Sequence, residues 1–326
     1  MSLEILWFVL IAVLWTGFFF LEGFDFGVGI LQFFLGKTLN ERGTYIRSIG
    51  PHWDGNEVWL LTAGGAIFAA FPLWYASFFS ALYLPFVFFL LALIGRGVCF
   101  EFRHRSLLKR MRNLCDKVLM FCSFLCAFLA PVAMANLVIG IPIDAHGNFT
   151  GTFFDLVKPN AIFAGLLGLS LFLSDGVLFL ILKIEGELRE RARKLSKFLI
   201  VFSVILFAAM TVNIWEHSKV SIAPLALICV SAVLVFTENF KVAFISLALC
   251  IACSVAMLFF EMFPNVLVST IPQNSLTIWN SSSSEYTLKI MSITAAIFVP
   301  LVLAYQIWSY YVFRSRINPK NANIEE

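Results

Sequence analysis

The chain has 326 residues, 60% hydrophobic and only 13% charged, about half the charge of a soluble domain. Several runs reach the roughly 20 apolar residues that cross a bilayer as a helix, so the class is an all-α integral membrane protein, and soluble folds and nucleic-acid binders are excluded. The formal net charge of +3 says little; where the charges fall says more. The opening MSLEILWFVL lacks a basic n-region, and its apolar run passes into EGFDFG without a small-residue cleavage site. No cleavable signal peptide is therefore expected.

In chain order, the apolar runs predict nine membrane helices over 5–27, 57–75, 77–99, 118–140, 160–182, 198–214, 220–237, 242–262 and 290–312. With the N-terminus outside, 19 of the 23 basic residues fall in cytoplasmic segments, three (Lys158, Lys219, Lys289) fall outside, and Arg96 lies within a span. That asymmetry predicts an outside N-terminus and a cytoplasmic C-terminus. Helices 1 and 5 run in the same direction and each carries an aspartate beside a glycine late in the span, Asp25 and Asp175. The echo suggests a single membrane domain of two four-helix bundles (1–140 and 160–262), a peripheral ninth helix at 290–312, and a polar cytoplasmic tail at 313–326. Loops are short. The longest outside loop, 263–289, holds Trp279, and Trp215 lies near another outer end; both read as interfacial anchors. His104, His146 and His217 read as solvated loop residues. The seven cysteines have no metal-site neighbours and read as buried thiols.

The stretch PHWDGNEVWLLTAGGAIFAA at 51–70 places a histidine, two carboxylates and two tryptophans at the mouth of an apolar helix. EGFDFG at 22–27 closes the preceding span. Helices 1, 2 and 3 thus bring Glu22, Asp25, Asp54, Glu57, Glu101, His52 and Arg96 towards one membrane face. Glu22 and Asp25 are three apart, as are Asp54 and Glu57, so each pair shares a helix side. Intramembrane ionisable groups mark proton or ion paths, and this cluster predicts a proton-uptake route from the cytoplasm. Asp25 and Asp54, enclosed by Phe24, Phe26, Trp53 and glycines, are its expected inner members, and His52 and Arg96 its charge partners. The competing readings are acids that pair with Arg96 only to hold helices together, Asp54 as a helix cap, and a proton-coupled secondary transporter. Gly23, Gly27, Gly29 and the Gly64-Gly65 pair suit close helix packing. No histidine lies mid-span, so no haem ligand and no metal site is expected in this chain; any redox chemistry belongs to a partner.

GFDFGVG at 23–29, PHWDGNEVWLLTAGGAIFAAFP at 51–72, RGVCFEFR at 96–103, GELRERAR at 186–193 and SLTIWNSSSSEYTLKIM at 275–291 together resemble subunit II of the cytochrome bd-type quinol oxidases. The resemblance implies a heterodimeric respiratory complex in a prokaryotic cytoplasmic (inner) membrane. Such a complex oxidises quinol and reduces dioxygen to water, with b- or d-type haems and the quinol site in a larger subunit I. Subunit II supports haem assembly, and acids matching Asp25 and Asp54 are associated with a proton route. Trp53, Trp59 and Val98 fall where the family lines the subunit interface or an oxygen path. The connection at 215–219 is short, which resembles the compact, often cyanide-insensitive branch. The haem types, the quinone, a structural quinone in this chain and small single-helix accessory subunits stay open.

Overall fold

The computed structural model describes residues 2–214 and 222–318. Trp215, His217 and Lys219, the connection they form, and Lys320 with most of the polar tail lie outside the described residues. Eleven α-helices are described: α1 Leu3–Leu35, α2 Leu39–Ile49, α3 Trp53–Ala70, α4 Pro72–Ala81, α5 Tyr83–Arg105, α6 Lys109–Ile139, α7 Pro159–Lys183, α8 Gly186–Ile214, α9 Ile222–Phe236, α10 Phe240–Met262 and α11 Glu285–Val312. Seven of them (α1, α5, α6, α7, α8, α10 and α11) are long and apolar enough to cross a membrane; α9 is a shorter apolar helix.

The expected spans 57–75 and 77–99 are cut differently. Pro72 starts α4, and the residue before a proline is pushed out of the helical region. Phe71 accordingly sits at φ −135°, ψ 71°, and one apolar stretch becomes α3 and α4. A second break at Leu82 starts α5, whose Pro85 lies in the first turn, where its missing N–H is not needed. The first span was expected to end at 27. Instead α1 runs on to Leu35, because Gly27–Leu35 remains helical and buried over most of its length. At 1.5 Å per residue α1 is about 50 Å long, so Asp25 lies about 15 Å from its end rather than at its edge. The segment after α1, expected as loop, folds into α2. Its start is written in the sequence: Thr38 accepts from the Glu41 amide at 3.2 Å, and Glu41 accepts from the Lys37 amide at 2.6 Å.

The core is the crossing of α1 with α7. At Gly27 a Cβ would collide with the Phe172 carbonyl and the Gly176 Cα, and a Cβ at Gly176 would collide with the Gly27 backbone. The two backbones therefore touch, and small residues at the seam are what permit it. Gly27→Val is expected to force the helices apart. Because the obstruction is backbone, the cost should reach at least about 3 kcal/mol, read as lost thermal stability and lost yield of assembled protein. Gly29 is likewise tight against Ser123, whereas nothing lies within 4 Å of a Cβ at Gly65 and only Phe79 approaches one at Gly64. The Gly64-Gly65 pair, expected to serve close helix packing, thus does none among the described residues. Gly17 leaves room for the ring of Trp59.

The segments rich in basic residues meet at one end of the bundle. There Arg191 pairs with Glu41 at 2.7 Å, and the Tyr45 hydroxyl donates to the Leu188 carbonyl at 3.0 Å. Arg103 Nε donates to the buried Asp116 at 2.5 Å, Arg42 lies 3.7 Å from the same carboxylate, and Gln32 donates to the Asp116 carbonyl at 2.8 Å. The hydrogen bonds from Arg191 hold the Glu41 carboxyl below the usual carboxylate range. The opposite end is closed by a small antiparallel pair, β1 Asn265–Leu267 with β2 Leu276–Thr277. The Ser283 amide and hydroxyl also donate there to the Ala70 and Ala69 carbonyls, at 2.8 and 2.6 Å.

Candidate functional site

Three residues of α1 and α5 define the centre. Glu22, Asp25 and Arg96 are each fully buried. Arg96 Nη1 donates to Glu22 and lies 3.5 Å from Glu57 Oε2. The guanidinium stands over the rings of Phe26 and Phe100, at 4.7 and 5.5 Å from their centroids, which shields the ion pair from lipid and supplies a cation–π contact. Glu57 is half-buried, one helical turn from Trp53, which stacks on Phe100 at 4.7 Å.

Asp25 is held by a neutral partner. Asn56 Nδ2 donates to Asp25 Oδ2 at 2.6 Å and to the Leu21 carbonyl at 3.1 Å. The Asn56 Oδ1 accepts from Gln306 Nε2 at 3.2 Å and from the Tyr310 hydroxyl at 2.8 Å. Trp59 Nε1 donates to Gln306 Oε1 at 2.7 Å. Asn56 therefore ties α1, α3 and α11 together with all of its bonding capacity used. Asp25 Oδ1 has no hydrogen-bond partner among the described residues.

The remaining expected site residues scatter. Asp54 is exposed on α3, so it is not enclosed with Asp25. On a helix it stands one residue round from Trp53 and two from Asn56, which turns it away from the α1 face that Asn56 meets. Glu101 is exposed and pairs with Arg105, four residues on, at 3.4 Å. His52 was expected as a charge partner, but it is buried and stacks flat on Tyr310 at 4.4 Å, with Phe179 and Phe313 edge-on. Neither ring nitrogen has a hydrogen-bond partner among the described residues. Val98 is 49% exposed on α5 and Trp59 is half-buried. Val58, Leu61 and Phe68 on α3 and Phe88 and Leu91 on α5 are likewise exposed apolar residues. Of the expected solvated histidines, His104 lies in the last turn of α5 and His146 in an exposed turn. The cysteines are free, and Cys229 is exposed rather than buried.

Asn56, Gln306 and Tyr310 were not foreseen. Asn56 lies inside the singled-out stretch, one residue before Glu57, and a neutral amide facing buried carboxylates was the available signal. Gln306 and Tyr310 are four apart on one side of α11, near its C-terminal end. Among the described residues no group of three or more His, Cys, Asp or Glu converges as a metal site.

The arrangement joins a buried carboxylate pair, a buried arginine and an amide relay on three adjacent helices. The model of the family described as cytochrome bd terminal oxidase subunit II matches residues 3–313. The cytochrome bd ubiquinol oxidase subunit 2 of Bacillus subtilis is 43% identical, covering 98% of both chains. The cytochrome bd-I ubiquinol oxidase subunit 2 of Escherichia coli is 32% identical, covering 98% of this chain and 96% of that one. A chain in the structure of the bd oxidase from Geobacillus thermodenitrificans has the same fold, with a TM-score of 0.77 at 17% identity over 96% of this chain and 97% of that chain. Match over nearly the whole length, in sequence and in fold, leaves one conclusion: the chain belongs to the family of cytochrome bd terminal oxidase subunit II.

Proposed function

We propose that this chain supplies a proton-uptake route to a quinol:oxygen oxidoreductase whose haems lie in a larger subunit I. As a family member it is a subunit of a membrane complex that oxidises quinol and reduces dioxygen. The observation that carries the route is a charge imbalance. Glu22 and Glu57 share one cation, Arg96, and the fully buried Asp25 is bonded only to a neutral amide among the described residues. Carboxylates in excess of cations at such depth call for protons.

In this reading protons arrive at the end lined by arginines, which the positive-inside rule assigns to the cytoplasm. Asp54 collects them on the exposed side of α3. Glu57 and Glu22 hand them inward past Arg96, and Asp25 holds one on Oδ1 while Oδ2 accepts from Asn56. The haems, b- or d-type, supply the electron chemistry from subunit I, and this chain's part is to hold and move protons and to brace the partner. The nine-span count with an outside N-terminus, the two-bundle division at 1–140 and 160–262, and a prokaryotic inner-membrane location belong to the same proposal. The contacts of α7, α8, α9 and α10 with one another support the second bundle. The exposed Val98 and the half-exposed Trp53 and Trp59 suit a seat for subunit I or an accessory helix. A structural quinone would fit the cavity of about 640 Å³ among α6–α10, walled by Leu171, Phe172 and Val255 and edged by Asn160, Thr211 and Glu261. Family membership leaves the transporter alternative without an observation in its favour.

The test is quinol-dependent oxygen uptake by the complex purified through this chain. Asp25→Asn keeps the shape and removes the titrating proton. Turnover should fall at least about tenfold with the haem spectrum intact. Normal turnover in both Asp25→Asn and Asp54→Asn would remove both residues from the route.

A further inference from the structure

Asp175 is a buried acid that the route above does not use. It lies in α7, fully buried, and neither carboxylate oxygen has a hydrogen-bond partner among the described residues. It faces α1 at Gly23: a Cβ there would stand 3.6 Å from Asp175 Oδ2. The missing side chain of Gly23 is thus what leaves the carboxyl its space, beside the Phe172 ring. Gly23 is two residues before Asp25, whose carboxyl turns to Asn56 on α3, so the two aspartates lie on either side of α1 at the level of Gly23. Asp25 also keeps one oxygen unpartnered. The ionisable side chains in electrostatic reach of Asp175 are Asp25 on α1, Tyr310 on α11 and Cys250 on α10. On the α8 side the neighbouring Ser174 hydroxyl is engaged with Ser203 at 2.9 Å, and Ser203 donates to the Ser170 carbonyl.

A carboxylate buried without a donor is among the most costly groups a membrane interior can hold, and two near one another cannot both be ionised at rest. A carboxylic acid in the same place is tolerable, and it can give up its proton. Among the described residues no cation and no donor explains Asp175 as a structural brace, so packing alone does not account for it.

We propose that Asp175 is a second proton-holding acid of the uptake route, receiving a proton from Asp25 across the α1–α7 seam. Asp175 first gives its proton onward towards the haem-bearing subunit. The Asp25 carboxyl, which is not hydrogen-bonded to Asp175, then passes its proton to the Asp175 carboxylate through a bridging water or a turn of either side chain, and Asp25 is reprotonated from the arginine-lined end. The inference rests on the reading that Asp25 lies on the route.

The experiment is an infrared difference spectrum between the oxidised and reduced complex, with turnover and haem content measured on the same samples. Asp175→Asn should remove one protonated-carboxyl band and lower quinol-dependent oxygen uptake by about tenfold at unchanged haem content. Asp175→Glu should restore turnover and return the band at a shifted frequency. Retention of band and rate in Asp175→Asn would overturn the inference, as would a rate that falls only in proportion to haem. If Asp175→Asn does not assemble, Asp175→Glu decides alone: a shifted band supports the inference and an unshifted one overturns it. Asp25→Asn separates the two readings. Slow turnover in Asp25→Asn with normal turnover in Asp175→Asn removes only Asp175, while normal turnover in both removes the route.

Discussion

Arg96→Leu is expected to destabilise the assembled protein by about 3–5 kcal/mol, read as a large fall in the thermal midpoint of the purified complex. The guanidinium is fully buried and bonded to Glu22, with Glu57 3.5 Å away. Removing it strands a carboxylate that has no other cation bonded to it. The arginine was not needed to fill space; it was needed to offset charge. Arg96→Leu combined with Glu22→Leu should therefore recover most of the loss, since a buried ion pair replaced by apolar side chains of similar volume is neutral or stabilising. Arg96→Lys should recover only part. A lysine restores the charge but not the planar group that stacks over Phe26 and Phe100. If the double variant is no more stable than Arg96→Leu alone, the charge argument fails, and shape explains the arginine.

Asn56→Leu is expected to loosen α11 from the rest of the bundle. The substitution removes four hydrogen bonds at once, to Leu21, Asp25, Gln306 and Tyr310. Each buried group left without a partner costs about 1–3 kcal/mol. Little else compensates on that helix, because Leu288 is its one buried residue and its apolar stretch is otherwise open. Faster amide exchange confined to α11, with α1 and α7 still protected, is the signature. Uniform loss of protection would mean that Asn56 braces the whole fold, and unchanged exchange would mean that the Trp7 bonds to Leu288 and Ser292 hold α11 by themselves. The same substitution frees Asp25 Oδ2, so it should also disturb turnover.

Hydropathy alone made the helical membrane class readable, and the charged stretches at 22–27 and 51–57 supply Glu22, Asp25, Asn56 and Glu57, whose side chains the fold brings near Arg96 and α11. Glu22, Asp25 and Arg96 meet as expected because each lies on an inward-facing strip of an apolar helix, where a charge has no use unless it is paired. Asp54 was expected to be enclosed with Asp25 but is exposed: Trp53 and Asn56 face other helices, and because a helix turns 100° per residue, Asp54 and Gly55 between them point outward. Proline punctuation was underused. Phe71-Pro72 divides what hydropathy reads as one span, and Thr38 with Glu41 announces α2. The partners from α11 were beyond reach of local pattern, since Gln306 and Tyr310 meet Asn56 across some 250 residues of chain, and only the packed fold brings them together. Asp175 was visible as an echo of Asp25, yet its lack of any hydrogen-bond donor is a fact of tertiary structure.

In the proposed route this chain carries protons through Asp25. The most direct measurement is proton uptake by the complex reconstituted into vesicles, followed with a pH-sensitive dye on the side of the arginine-lined end during quinol oxidation. In Asp25→Asn, uptake from that side should be lost or slowed at least about tenfold, with haem content and assembly unchanged. Uptake at the unsubstituted rate in Asp25→Asn would contradict the account and leave the buried acids as braces between helices.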